Sequence, residues 1–222
     1  MKYNIIITRK SIKNLILKIK SNGQILLSVP KTTPQKYIES FIESKEAWIK
    51  ENLEKIKKNS TKQVDKSYKN GDNIEYLGKM YLLKIFPDKK NLVQIFEDCI
   101  YIYTNKESNE KNIEALLYNW YRTQADTIFL NSINKYSQII DENFEELKIR
   151  KMKNRWGSCR YLKKQITLNL ELIKKPLECI DYVSLHEVAH LRYPHHKKEF
   201  WDFIHIYMPD WKLRKERLEK NE

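Results

Sequence analysis

The first 70 residues alternate between short apolar runs and polar breaks, and then change to a helical period. The apolar runs predict strands, and Asn22-Gly23 predicts a turn that joins two of them into a hairpin. From Pro34 to about residue 58, apolar side chains recur three and four residues apart, which predicts a helix. The predicted strands cover residues 5–8, 15–19 and 24–29. This part of the chain therefore predicts a β-rich lobe with one helix.

A polar stretch, residues 59–70, follows this lobe and is the best candidate for a linker, because it has no apolar period. Residues 71–104 then alternate apolar and polar over four short runs, which predicts a small antiparallel meander. Residues 107–140 form the longest stretch with helical spacing. The four strands of the meander are predicted at residues 74–76, 81–85, 92–95 and 100–103.

The last third of the chain combines strand patterns with helical ones. Strands are predicted over residues 147–152 and 165–170, and helices from Pro176 to about Pro194, from 197 to 207, and after Pro209. Pro176 suits a helix start, where its missing amide donor costs nothing. We expect an N-terminal lobe at residues 1–70 and a catalytic domain at residues 71–222, which could also form a single compact unit.

Composition narrows the class of protein. The mean hydropathy is −0.70, and no apolar run reaches the roughly 20 residues that a membrane helix needs. Lys and Arg interrupt the N-terminal segment, which has no small-residue cleavage site, so no secretory signal is predicted. Cys99, Cys159 and Cys179 are widely spaced and odd in number, which excludes a disulfide scaffold or a four-cysteine zinc ribbon. These features favour the cytoplasm and no membrane partner.

The formal net charge is +13, and most of it lies within the first 70 residues. A basic lobe can contact nucleic acid, an acidic protein or a membrane surface. Here the excess consists mainly of scattered Lys rather than Arg clusters, and no nucleic-acid recognition motif accompanies it. Nucleic-acid binding by this lobe is therefore a secondary hypothesis.

The candidate chemistry is concentrated in an HExxH motif within the helix that begins at Pro176. His186 and His190 lie four residues apart, so they stand one turn apart on the same helix face and can ligate one ion. Glu187 lies next to that face, where its carboxylate can reach a water on the metal. Such a carboxylate takes a proton from the water and delivers it to the leaving group.

A catalytic zinc usually has three protein ligands and one open position. His196 lies six residues after His190, at the spacing of the metzincin pattern, and is the first choice for the third ligand. His195 is the second choice and Glu199 the third. That pattern has Gly where this chain has Tyr193, so a true metzincin turn is not predicted.

Residues 154–159, which include Trp156 and one of four glycines, predict a tightly packed turn between two strands. Either Arg155 or Ser158 is expected to face the cleft. Arg155 and Tyr193 are both candidates to stabilise the oxyanion that forms when water attacks a carbonyl. Cys159 has no paired base in the sequence, which argues against a cysteine nucleophile.

Other segments are expected to support the site. The strand at residues 165–170 is either a sheet edge that could hold an extended peptide or an ordinary interior strand. Phe200, Trp201 and Trp211 are expected to pack the last helices beneath the metal helix. Asp202 could orient a ligand His through the second ring nitrogen.

The chain resembles the YgjP-like metallopeptidases, which are related to the SprT-like proteases. The shared features are the hairpin at 3–29, the helix sequence at 44–49, RWGSC at 155–159, the helix start at 176–183, HEVAH at 186–190, and HHK and FW at 195–197 and 200–201. The resemblance implies a zincin-like α+β core and His196 as the third ligand. His195 and Lys197 replace the usual Asn and Ser. The zinc ribbon that ends some SprT-like proteins is absent.

Three functional hypotheses follow. The leading one is a zinc metallopeptidase, with Glu187 activating a zinc-bound water against a peptide or protein substrate. The second is a DNA-associated protease that acts on nucleic-acid-bound proteins. The third is a non-enzymatic binding module with a structural metal, which the presence of Glu187 argues against.

Overall fold

The computed structural model describes residues 3–20, 22–60, 68–105 and 109–220. It contains both helices and mixed sheets, which confirms the predicted α+β class. The chain divides into two compact units, Met1–Lys66 and Ser67–Glu222. The predicted boundary at residue 70 stays a prediction, and residues 61–67 of the predicted linker lie outside the described residues.

The first unit contains a three-stranded sheet and two helices. Its elements are β1 (Ile5–Lys10), β2 (Ile16–Ile19), β3 (Ile25–Pro30), α1 (Gln35–Ser44) and α2 (Glu46–Ser60). The predicted hairpin is confirmed for β2 and β3, which pair antiparallel through a turn in which Gly23 has a φ of +79°. β3 lies between the other two strands because its alternate residues are buried, and β1 pairs with it in parallel.

The single helix predicted from Pro34 is in fact two helices. The first ends at Ser44, whose hydroxyl donates to the Phe41 carbonyl at 2.7 Å. This bond competes with the helical backbone pattern. Lys45 then leaves the helical conformation, with φ −105° and ψ 3°, and a new helix starts at Glu46.

The second unit begins with a four-stranded sheet. Its strands are β4 (Asn73–Tyr76), β5 (Lys79–Pro87), β6 (Leu92–Phe96) and β7 (Cys99–Thr104). These strands confirm the predicted positions, but the antiparallel meander is wrong, because the order is β4-β5-β7-β6 and β5 and β7 are parallel. In the hairpin of β6 and β7, β7 is the inner strand of the sheet and β6 is the edge strand. That orientation buries Ile100 and Ile102 completely, whereas β6 remains largely exposed.

The long helix α3 (Glu110–Ile140) spans 31 residues and confirms the predicted helix. The side chain of Asn109 caps its start by accepting from the Lys111 amide at 3.1 Å. One face is buried at four-residue spacing by Ile113, Leu117, Tyr121, Ala125, Phe129 and Ile133. This face belongs to one continuous apolar core, which includes residues of both sheets of the second unit and of the C-terminal helices.

A second sheet of this unit contains β8 (Glu146–Arg150), β9 (Gly157–Arg160) and β10 (Gln165–Asn169) in the order β8-β10-β9. β8 and β10 confirm two predicted strands. Of the two alternatives for residues 165–170, the interior strand is confirmed and the edge strand is wrong, because β10 pairs on both sides. The edge next to the HExxH helix is β9, which sequence reasoning treated as a turn. Short 3-10 helices follow at Tyr161–Lys163 and Leu170–Lys174.

Three helices complete the chain: α4 (Leu177–Ala189), α5 (Lys198–Tyr207) and α6 (Trp211–Lys220). α4 follows Pro176, as predicted, and nine of its residues are buried. It packs against α3, β9, β10, α5 and α6. Within the described residues, no helix has the length and apolar character needed to cross a membrane.

One partly buried polar cluster fixes α4 on α3. The Asp181 carboxylate of α4 accepts from the Ser132 hydroxyl at 2.7 Å, the Lys135 ammonium at 2.7 Å and the Tyr136 hydroxyl at 3.2 Å. Hydrogen bonds that involve a charged group are stronger than neutral ones. The cluster therefore sets the position of α4 along α3.

We expect Asp181→Ala to lower the free energy of unfolding by about 1–3 kcal/mol, because three donors on α3 lose their acceptor. Urea denaturation monitored by circular dichroism measures the change. Asp126→Ala, at an exposed position of α3, is the matched control and should change stability by less than about 0.5 kcal/mol. Equal effects of the two substitutions would contradict this interpretation.

Candidate metal centre

The HExxH helix places two imidazoles together. His186 lies in the last turn of α4, and His190 is the residue that caps the helix, with φ −66° and ψ −16°. Their ring centroids are 4.8 Å apart and their planes are nearly perpendicular. Both side chains are partly buried.

A turn after α4 brings a third imidazole to this pair. The Tyr193 amide donates to the Ala189 carbonyl at 2.9 Å, and beyond Pro194 the chain returns towards α4. Nε2 of His196 then lies 2.9 Å from Nε2 of His186. Within the part of the chain that the structure describes, the candidate metal group is His186, His190 and His196, and it includes neither His195 nor Glu199.

The electrostatics of the three imidazoles suit a metal site. Burial, followed by the proximity of the other two rings, lowers the pKa of His186 to about 3. Burial also lowers the pKa of His190 and of His196. All three rings are therefore neutral at pH 7, so their lone pairs are available to a cation.

Hydrogen bonding fixes the tautomer of one ligand. Nδ1 of His190 lies 2.9 Å from the Tyr193 carbonyl, so Nδ1 carries the proton and Nε2 carries the lone pair. Asp202, which the sequence suggested for such a role, is exposed, and the partner seen here is a main-chain carbonyl. His186 Nδ1 is buried and has no hydrogen-bond partner among the described residues.

Phe200 forms the apolar floor of the site, consistent with its predicted packing beneath the metal helix. It is fully buried, and its ring centroid lies 5.0, 4.6 and 4.9 Å from those of His186, His190 and His196. Three neutral nitrogen donors above an apolar floor fit a divalent transition metal such as zinc.

Glu187 occupies an unusual environment for a carboxylate. It is 5% exposed, and its Oε2 atom has no hydrogen-bond partner among the described residues. Burial raises the pKa of Glu187 to about 8, although the charge of Arg155 acts in the opposite direction. A buried polar atom without a partner is costly in a folded protein, which points to a role in binding or chemistry.

Gly157 of β9 lies directly against Glu187. A Cβ atom at this position would lie 2.5 Å from Glu187 Oε1 and 2.6 Å from Glu187 Cγ. Such contacts are far inside van der Waals distance. The absence of a side chain therefore allows β9 to approach the carboxyl group of α4.

Asn169 holds the loop that precedes β9, a role that sequence reasoning missed. Its side chain accepts from the Met152 amide at 3.1 Å and donates to the Met152 and Arg155 carbonyls at 2.9 and 3.0 Å. Asn is rare in strands, so its position at the end of an apolar strand pattern was the available signal.

An open cleft of about 450 Å³ gives access to the site. Its walls come from the segment at residues 155–159, from α4 and from α6. The lining residues include Arg155, Trp156, Ser158, Cys159, Tyr182, Val183, Glu187, Lys215, Leu218 and the three candidate ligands. Arg155 and Ser158 thus both face the cleft. Tyr193 is absent from the lining, and its ring packs on Phe203 at 5.1 Å.

Cys159 lines the cleft but is not activated as a nucleophile. Burial and the nearby Glu187 charge raise the pKa of the Cys159 thiol to about 12. The thiol therefore stays protonated at pH 7 and is a weak nucleophile. This agrees with the prediction that a metal, rather than a cysteine, supplies the chemistry.

The helix presents two imidazoles and a buried carboxyl group to an open cleft, and the following loop adds a third imidazole. This arrangement is typical of a metal-dependent hydrolase. The family comparison makes the class specific. The chain belongs to the YgjP-like metallopeptidase family, whose domain model matches residues 13–221. This confirms the family indicated by the sequence motifs, and the protein is a metal-dependent peptidase.

Solved structures of two metallopeptidase zymogens are similar to part of the chain. Abylysin of Pyrococcus abyssi is 20% identical, with a TM-score of 0.39, over 42% of this chain and 93% of that one. Jannalysin of Methanocaldococcus jannaschii is 18% identical, with a TM-score of 0.39, over 42% of this chain and 88% of that one. No curated protein matches the sequence.

We expect Gly157→Ala to displace the Glu187 carboxyl group, because the new Cβ would occupy its place. Peptidase activity should fall by about 10-fold or more, since small misplacements of reacting groups are expensive. The measurement is kcat/KM together with a thermal melt. Ser158→Ala, at the next residue of β9, is the control and should leave Glu187 in place. Wild-type activity in Gly157→Ala would contradict the close contact.

The metal-free protein should show a pH-dependent effect of Glu187. In the unfolded chain this carboxyl group has an ordinary pKa of 4.5, whereas in the folded protein its pKa is about 8. Between these pH values the folded state holds a proton that the unfolded state has released. The free energy of unfolding therefore falls as the pH rises through that window.

Glu187→Gln should therefore raise the free energy of unfolding by more than about 1 kcal/mol at pH 9 and change it little at pH 4. Urea denaturation of chelator-treated protein at both pH values measures this. The exposed Glu199→Gln substitution serves as the control. If the free energies of unfolding of Glu187→Gln and the unmodified chain differ by the same amount at both pH values, the Glu187 carboxyl group is not protonated in the folded state.

Proposed function

We propose that this chain is a zinc-dependent peptidase in which Glu187 acts as the general base. The observation that carries the proposal is the buried carboxyl group of Glu187, which has an unpartnered oxygen among the described residues beside three converging imidazoles. A purely structural metal site has no use for such a group.

The donor set favours zinc, because three imidazole ligands and one open position are typical of catalytic zinc sites. When bound, the zinc would polarise the scissile carbonyl and lower the pKa of a water molecule. The positive charge of a bound ion would favour the ionised form of Glu187. The carboxylate would then take the proton from that water and deliver it to the leaving nitrogen. The space left by Gly157 would accommodate the carboxyl group in this position.

Arg155 is the better of the two sequence candidates for stabilising an oxyanion. It lines the cleft, and its charge acts at Glu187. Developing negative charge on the carbonyl oxygen would be stabilised by a guanidinium placed beforehand at the site. The ring of Tyr193 packs away from the cleft lining, whereas its carbonyl orients His190.

The substrate is proposed to bind as an extended peptide along β9. Among the described strands, β9 pairs only with β10, so its other edge offers main-chain groups for pairing. Gly157, the first residue of β9, lies beside the proposed general base. Buried Tyr182, Val183 and Leu218 line the same cleft and favour an apolar substrate side chain.

Nucleic-acid binding by the basic N-terminal lobe and a cytoplasmic location stay predictions. The first is tested by binding to DNA across a range of salt concentrations, because phosphate contacts weaken steeply as salt rises. No binding at low salt would remove the hypothesis of a DNA-associated protease.

The proposed mechanism is tested by Glu187→Gln, which should keep zinc and reduce hydrolysis by about 10²- to 10⁴-fold, because the general base is lost while the imidazoles remain. Metal content is measured by mass spectrometry, and activity by proteomic identification of cleaved peptides. Glu199→Gln, an exposed position outside the metal group, should retain both properties.

His196→Ala should lose both zinc and activity. Full hydrolysis by Glu187→Gln would remove this residue from the mechanism. Undiminished zinc content in His196→Ala would remove the third ligand and with it the proposed coordination.

A further inference from the structure

The third candidate ligand is held differently from the first two. His186 and His190 are fixed by the backbone of α4. His196 lies in the irregular segment between α4 and α5 and is exposed. Its Nδ1 atom, unlike that of His190, which donates to the Tyr193 carbonyl, makes no hydrogen bond with the described residues. Some other interaction must therefore orient this ring.

Stacked aromatic rings supply that interaction. The His196 ring stacks on Trp201, with centroids 5.5 Å apart and planes 20° apart. Trp201 in turn stacks on Trp211, at 4.5 Å and 18°. Trp211 stacks on Tyr182, at 6.5 Å and 12°, and Tyr182 contacts His186 at 5.9 Å. The rings thus form a continuous series that runs from one candidate metal ligand, His196, to another, His186.

This series of rings passes through the C-terminal helix. Trp211 is the first residue of α6, and the helix is fixed to the start of α4 by polar contacts. Arg217 donates to the Glu178 carboxylate at 2.8 Å, and Arg214 donates to the Glu178 carbonyl at 3.5 Å. Lys215 lies over the Trp201 ring, with Nζ 5.8 Å from the centroid.

We propose that Trp201 and Trp211 are positioning residues that hold His196 in place for metal binding, so that docking of α6 on α4 controls how tightly the metal is retained. The inference rests on the metal site of the proposed function. Partners that orient a ligand in this way typically change metal affinity by about 10- to 100-fold when they are removed. Offset stacking between aromatic rings is favourable beyond simple burial, and it fixes the plane of the imidazole.

The test compares zinc affinity, measured by competition with a chromophoric chelator, in Trp201→Leu, Trp211→Leu and the unmodified chain. We expect each substitution to weaken zinc binding by about 10-fold or more and to change the visible absorption of the cobalt-substituted protein. Trp201→Phe and Trp211→Phe, which keep a stacking ring, should recover most of the affinity and guard against variants that fail to fold.

Trp120→Leu provides the matched control. Trp120 is a partly buried tryptophan of α3 that packs on Tyr76 at 4.8 Å, and its loss should lower the melting temperature without changing zinc affinity. If Trp201→Leu and Trp211→Leu melt earlier but bind zinc as the unmodified chain does, the two residues are merely structural and the inference is wrong. Absence of zinc binding by the unmodified chain would instead remove the proposed function itself.

Discussion

The candidate site depends on one physical constraint, which is that α4 is buried on almost every side. The helix packs against α3, two strands and both C-terminal helices, yet it carries Glu187 and His186 into that apolar environment. A buried ionisable group shifts its pKa rather than keep an unpaired charge. The same packing therefore favours a protonated carboxyl group and neutral imidazoles in the metal-free protein. The fold prepares the donor atoms before any ion is present.

Local patterns in the sequence predicted most of the elements but not how the strands pair. The strands of the second unit other than β9, and the long helix α3, follow from their apolar periods. The parallel pairing of β5 with β7 could not be predicted, because it depends on which strand of a hairpin turns inward. In each sheet a strand with regularly buried side chains, such as β3, β7 or β10, takes an inner place. That rule has a physical basis, but applying it requires knowing which side chains of each strand are buried in the fold. β9 was missed because it has four residues and begins with Gly157.

The candidate site was more predictable than the topology. A spacing of four residues on a helix is sufficient to bring His186 and His190 together, so no tertiary information was needed. His196 required a chain reversal whose form depends on the turn after Ala189, and the sequence could only rank it first. The choice between Arg155 and Tyr193 depended on which way each side chain points. The supporting role of Asn169 depends on hydrogen bonds to a loop distant in sequence, for which a single sequence gives almost no signal.

The unequal placement of the three imidazoles has a kinetic consequence. Two of them enter from one rigid helix and are partly buried, whereas His196 comes from a loop and faces solvent. An ion arriving from solution meets the exposed ring at the entrance and a preorganised pair behind it. Release of an ion from the proposed site would require the His196 ring to leave its stack on Trp201. In the proposed site, exchange of the metal would therefore depend mainly on His196, while His186 and His190 would set the geometry of the bound ion.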